Sequence, residues 1–165
     1  MLENNILNFI GEYINAGLRE IFTGGQVERI FLDEETMKLE ITAKFDRYIE
    51  DKFIISAQNE IKNTLGINKV VIIPRFHASA FNESCIPQLV RAMKDNVAAA
   101  NGFLDNAKFN FTEDKLEITV FYGADILSES GAVEFLSKYI SDCFSVRRKV
   151  EIRSEGTEAK LDSPA

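Results

Sequence analysis

A two-layer α/β (α+β) protein, built by tandem duplication of a helix–strand–strand–helix–strand unit, is what this sequence predicts. Three observations carry that prediction. Lys38-Leu39-Glu40-Ile41-Thr42 recurs letter for letter, 77 residues on, as Lys115-Leu116-Glu117-Ile118-Thr119. Lys69-Val70-Val71-Ile72-Ile73 is echoed 80 residues on by Lys149-Val150-Glu151-Ile152-Arg153, which gives the second copy three extra residues between the two landmarks. The hydrophobic period also switches between helix and strand in the same order in both halves.

In the first half, Ile6, Leu7, Ile10, Ile14, Leu18 and Ile21 recur at helical spacing and Gly24-Gly25 stops the helix. Val27–Leu32 is a β-branched and aromatic run, hence a strand, and Asp33-Glu34-Glu35 forms the bend after it. Met37, Leu39, Ile41, Ala43 and Phe45 then alternate with polar residues, the period of a strand wet on one face. A second helix presents Phe53, Ile54, Ala57, Ile61 and Leu65 and ends at Gly66. Val70–Ile73 is apolar without alternation, as in a strand covered on both sides.

The second half repeats the plan. Pro87 opens a helix that presents Leu89, Val90, Met93 and Val97 and runs into Asn101-Gly102. Ala107, Phe109 and Phe111 form a strand, Glu113-Asp114 the bend, and Leu116, Ile118 and Val120 one face of the next strand. A helix from about Leu127 to Phe144 and a strand over Val146–Arg153 close the unit. The predicted organisation is a first unit over residues 1–77, a second over 78–153, and a tail or linker to a following domain over 154–165. Each unit holds a three-stranded mixed sheet covered by helices, since a helix between the last two strands returns the chain to the same sheet.

Composition bounds the function. The 165 residues are 45% hydrophobic and 27% charged, with 26 acidic against 19 basic residues and a net charge of −7. That balance fits a folded soluble protein and offers no general cloud of positive charge to a nucleic acid. No run approaches the ~20 apolar residues of a membrane span, and the start lacks a signal peptide's basic flank and apolar stretch. A cytoplasmic location is expected.

A search for chemistry returns little. His77 is the only histidine, and no triad can be built around it. Cys85 and Cys143 read as buried free thiols and, with one histidine, fall short of a zinc site. Asp33-Glu34-Glu35 reads as a solvated bend. Gly24-Gly25 lacks the Lys-Ser/Thr of a phosphate-cradling loop. No enzyme activity, cofactor or metal is expected of this chain. The element order resembles the type II KH nucleic-acid fold, yet no two glycines stand three apart to form the Gly-x-x-Gly clamp. Arg147, Arg148 and Lys149, with Arg153 beyond, are the one basic cluster: a solvated strand entry, or a nucleic-acid contact. Phe76, Phe81 and Phe103 lie near predicted loops, where a ring serves either the core or a partner.

Taken in order, several landmarks are similar to the N-terminal region of PolC-type DNA polymerase III alpha subunits, the replicative polymerases of low-GC Gram-positive bacteria. They are Gly25-Gln26-Val27-Glu28-Arg29-Ile30-Phe31-Leu32-Asp33 with Met37-Lys38-Leu39-Glu40-Ile41, then Asp114–Val120, Cys143-Phe144-Ser145 and Lys149-Val150-Glu151-Ile152. The resemblance covers about residues 14–155. It departs at Leu39, where the family often carries an aromatic residue, commonly Trp, and at Phe144-Ser145, where the family has Phe-Gly. The resemblance implies a non-catalytic piece of a longer DNA-directed DNA polymerase with 3′–5′ exonuclease, whose active sites lie beyond residue 165. It implies a protein-interaction platform in the replisome, with the clamp-loader tau subunit as partner, no small-molecule substrate and no membrane. DNA would be reached weakly or through the rest of the polymerase. A single-stranded nucleic-acid-binding KH-like module is the alternative.

Overall fold

The computed structural model describes residues 4–155, and the chain divides into two compact units, Met1–Ala80 and Phe81–Ala165. The first unit runs α1 (Ile6–Ile10), α2 (Ala16–Phe22), β1 (Gln26–Asp33), β2 (Lys38–Lys44), α3 (Asp51–Leu65) and β3 (Lys69–Arg75). The second runs α4 (Ile86–Asn96), β4 (Lys108–Phe111), β5 (Lys115–Val120), α5 (Ala124–Glu129), α6 (Ala132–Phe144) and β6 (Lys149–Ser154). Each has a three-stranded mixed sheet, ordered β1-β2-β3 and β4-β5-β6, with its first pair antiparallel and its second parallel. The fold class read from the sequence is therefore the one observed, and the second unit has the helix–strand–strand–helix–helix–strand order of the type II KH fold.

The duplicated segments are partners. Lys38 sits opposite Lys69 and Lys115 opposite Lys149, each leading an in-register parallel ladder. The three residues that separate the two spacings fall in the crossover, a single helix α3 in one unit and the pair α5 and α6 in the other. Ile41 and Ala43 on β2, and Leu116, Ile118 and Val120 on β5, are buried on the helix side of their sheets. Opposite them lie Ile54, Ala57 and Ile61 of α3 and Leu136, Ile140 and Phe144 of α6, at helical spacing.

Several elements differ from expectation. The first helix is broken: Ile14 is extended, and Asn15 caps α2 by accepting a hydrogen bond from the Leu18 N–H at 2.9 Å. The carbonyls freed at the break are not orphaned, because Arg19 Nη1 donates to Ile14 O at 2.7 Å and Gly11 O at 3.2 Å. The α4 helix stops at Asn96, short of Asn101-Gly102. The last helix starts at Ala124 and breaks at Ser130-Gly131, where Gly131 takes a φ of +88°. Met37 belongs to the hairpin turn rather than to the buried face of β2: its φ is +54° and its carbonyl accepts from the N–H groups of Asn68 and Lys69.

Strand β3 is not covered on both sides. Val70, Ile72 and Pro74 are buried on the helix side, while Val71, Ile73 and Arg75 are half-buried on the open face, as an edge strand of a two-layer unit must be. Nor does the tail begin at Ser154. That residue is buried at the end of β6, where its Oγ accepts from the Ala124 N–H at 2.9 Å and ties the strand to α5. The remainder of the expected tail, from residue 156, lies outside the described residues. Strand β1 is an unexpected exception to burial. Ile30, Phe31 and Leu32 are 43%, 46% and 47% exposed, although all three lie in a strand.

The two units also solve one problem with different residues. Gly66 follows α3 with φ +67°, and Ser145 follows α6 with φ +56°; each N–H donates to the carbonyl four residues back. A left-handed conformation costs a residue with a Cβ about 1 kcal/mol or more, and glycine far less. Ser145→Gly is therefore expected to stabilise the chain by about 1 kcal/mol. Gly66→Ser should cost a similar amount, both read from urea unfolding midpoints.

Candidate functional site

His77 and Asp33, singled out from the sequence, each make local hydrogen bonds. His77 is exposed, and its Nδ1 accepts from the Ser79 N–H at 3.1 Å within a local turn. Asp33 Oδ1 accepts from the N–H groups of Glu35 and Thr36 at 3.0 and 3.3 Å. The Thr36 backbone N–H and hydroxyl hold the Asp33 carboxyl below the usual carboxylate range. The acidic bend is thus an Asx turn. Among the described residues no group of three or more His, Cys, Asp or Glu side chains is placed to hold a metal ion. Gly24 turns the chain at φ +92°, and Gly25 is packed so closely by Phe45 and Ile6 that no side chain would fit. Both cysteines are buried and outside any disulfide, and burial pushes the Cys85 thiol up to about 11.

The three aromatic candidates fall in different places. Phe76 is buried, with its ring 6.0 Å from that of Phe45 and 4.7 Å from that of Tyr48, so it serves the core of the first unit and is no exposed anchor. Phe81 is half-buried between Phe111 at 5.0 Å and Phe144 at 5.4 Å. Phe103 is half-buried and belongs to a surface aromatic cluster. Its ring stands edge-on to Tyr122 at 5.4 Å, and Tyr122 stands edge-on to Phe121 at 5.9 Å.

This cluster is the candidate docking site. Phe121 is 62% and Tyr122 55% exposed, at the point where β5 gives way to α5. The rings edge a cleft of about 340 Å³ whose rim includes Asn106, Asp105 and Glu155. Gly123 makes the arrangement possible. Its φ is +95°, and the Phe103 ring lies against its Cα where a Cβ would stand. Each rim carboxylate has a surface lysine near it, Lys94 at 3.5 Å from Asp105 and Lys108 at 3.9 Å from Glu155, so the cleft mouth is polar with its charges paired. An apolar segment suits the rings of this cleft. Sequence reasoning singled out Phe103 but missed Phe121 and Tyr122. The signal was available in Phe121-Tyr122-Gly123, two rings directly after a strand whose alternation ends at Val120.

Two of the four residues of the basic cluster are paired with carboxylates. Arg153 Nη2 reaches Glu117 Oε2 at 3.2 Å, and Lys149 Nζ reaches Glu151 Oε2 at 3.4 Å. Lys115 bridges Glu117 and Glu151 at 3.1 and 3.4 Å. The Asn110 amide, then Lys115, hold the Glu117 carboxyl below its ordinary value. Arg148 lies 5.8 Å from the Phe81 ring centre and donates to Arg147 O at 3.0 Å. Arg147 is exposed. Arg147, Arg148 and Lys149 thus lie at the entry of β6, and Arg153 lies near its far end.

In the first unit, a second depression of about 460 Å³ is lined by Gly17, Tyr48, Phe53 and Arg47. Arg47 is already engaged, donating to the carbonyls of Glu20 and Ile21 at 3.0 and 2.9 Å.

The raised Cys85 value has a measurable consequence. An unfolded thiol ionises near 9, so the stabilisation that burial gives the protonated form is complete below pH 9. It is lost as pH climbs from 9 to about 11. The chain should therefore melt at lower temperature over that window, and iodoacetamide at neutral pH should leave Cys85 unmodified until denaturant is added. No family model, curated protein or solved structure matches this chain, so the functional reading rests on its own residues.

Proposed function

We propose that this chain is a non-catalytic, cytoplasmic module of a PolC-type replicative DNA polymerase that docks another replisome protein, the clamp-loader tau subunit. The observation that carries the reading is the surface cluster of Phe103, Phe121 and Tyr122 around a cleft with a polar rim, in a chain whose sole histidine is held in a local turn. Exposed aromatic rings beside a concavity are the residues from which interface hot spots are built. The segments that carry the resemblance lend further support. Gly25–Asp33 with Met37–Ile41 forms one hairpin, and Asp114–Val120 pairs in parallel with the strand that begins at Lys149. Polymerisation and proofreading would belong to the rest of such a protein, along with most contact to DNA.

The single-stranded nucleic-acid reading has the type II KH element order in its favour. Against it stand the pairing of Arg153 with Glu117 and of Lys149 with Glu151, which engages two of the four cations, and the missing Gly-x-x-Gly clamp.

Calorimetric titration of the whole chain with the C-terminal part of tau should give a saturable isotherm. Tyr122→Ser should weaken it by about 30-fold, the loss of one hot-spot ring. A flat trace would sink the proposal. Binding instead to oligonucleotides at low salt, falling steeply as salt rises, would favour the KH-like reading.

A further inference from the structure

Among the described residues, the outer edge of strand β1 pairs with nothing beyond the bridge from Asn5 to Gln26. The free stretch has defined ends. On one side lie the irregularity between Val27 and Arg29 and the bridge from Asn5 to Gln26. On the other the chain turns away after Asp33. Between them the residues read Arg29-Ile30-Phe31-Leu32-Asp33. Ile30 and Leu32 stand opposite Ile41 and Leu39, on the helix side of the sheet. Phe31 stands opposite Glu40 on the open face. Both faces of this edge are thus apolar at its centre and exposed.

The duplicate unit supplies an internal control. Its first strand, β4, has four residues where β1 has eight. Opposite Glu117, the counterpart of Glu40, it places Asn110 rather than a phenylalanine. Opposite Leu116, the counterpart of Leu39, it places Phe111, which is half-buried against Phe81. Natural sheets blunt an exposed edge with short strands and polar side chains, and β4 carries both devices. Strand β1 carries neither over its central three residues.

The five free residues are complementary to their own reverse. Laid antiparallel on a second copy with Phe31 opposite Phe31, the strand sets Ile30 against Leu32 and Arg29 against Asp33, each pairing occurring twice. A shift of one residue sets Arg29 against Leu32 and Glu28 against Asp33, two carboxylates. A two-fold axis normal to the sheet keeps each side chain on its original face. Ile30 and Leu32 of both copies then form one apolar strip beside the helices, while the charged ends match.

We propose that two copies of this chain associate through β1, antiparallel about a two-fold axis at Phe31, to make a continuous six-stranded sheet ordered β3-β2-β1-β1-β2-β3. Backbone groups of the free edge find partners, and the three exposed apolar residues of each copy are covered.

The test uses the whole chain. In sedimentation velocity at about 100 μM, where a micromolar homodimer is populated, the wild-type protein should run at twice the mass of one chain. Phe31→Lys and Phe31→Glu each set like charges opposite one another on the axis and should run as monomers, with circular dichroism unchanged because Phe31 is exposed. Mixed in equal amounts, the two variants set Lys opposite Glu and should recover the dimer. A monomeric wild-type chain overturns the proposal, including the case where β1 serves another protein's strand. So does a dimer that survives either variant, or a mixture that stays monomeric.

Discussion

The parallel pairing of the second strand with the last fixes most of this molecule. Strands β2 and β3, like β5 and β6, run the same way in register. A parallel neighbour cannot be reached by a tight turn, so the chain must cross over, and the crossover is a helix that packs on one face. From this follow the buried rows Ile41 and Ala43, and Leu116, Ile118 and Val120, together with a second face left to solvent. It also follows that the first strand of each unit has one free edge. The five identical residues lie in the central strand, which has a neighbour on both sides and helices above. There a change disturbs the most partners at once.

The open faces and edges, freed from that constraint, have diverged. On the second sheet Asn110, Glu117, Glu151, Lys115 and Arg153 form a cross-strand lattice of amide and ion pairs. Each pair contributes little alone, but together they make a face that repels an apolar neighbour. On the first sheet the corresponding positions include Phe31, Val71 and Ile73, and β1 keeps its full length. One copy has an open face laced with ion pairs, and the other has one with apolar residues at the matching positions. The strand order is the same in the two units, so the difference lies in side chains and in the length of the first strand.

What could be read from the sequence was what depends on period and repetition. The alternation from Leu39 to Phe45 and the spacing of Ile54, Ala57 and Ile61 gave the right elements and the right buried faces, because burial on one side imposes a period. The helix breaks were hidden, since Ile14 continues the apolar spacing and only the capping by Asn15 interrupts it. The exposure of β1 was hidden for a different reason. Val27–Leu32 is a strand by composition, and composition does not say whether a helix reaches over it. The same gap affected Phe76, Phe81 and Phe103: one proved a core ring, one a half-buried support for Arg148, and one part of a surface cluster.

The two proposed surfaces share no residue: the cleft is built from the second unit, and the free edge from the first. They can therefore be altered one at a time by substitution. Their combination still has a consequence. A dimer formed through β1 carries two clefts, so a partner with two docking segments meets the second cleft at the high effective concentration set by its own linker. Weak docking at each cleft, which a small exposed aromatic cluster implies, then becomes durable only for a multivalent partner. On this argument the free edge acts on binding through geometry rather than chemistry, by setting how many clefts one assembly presents.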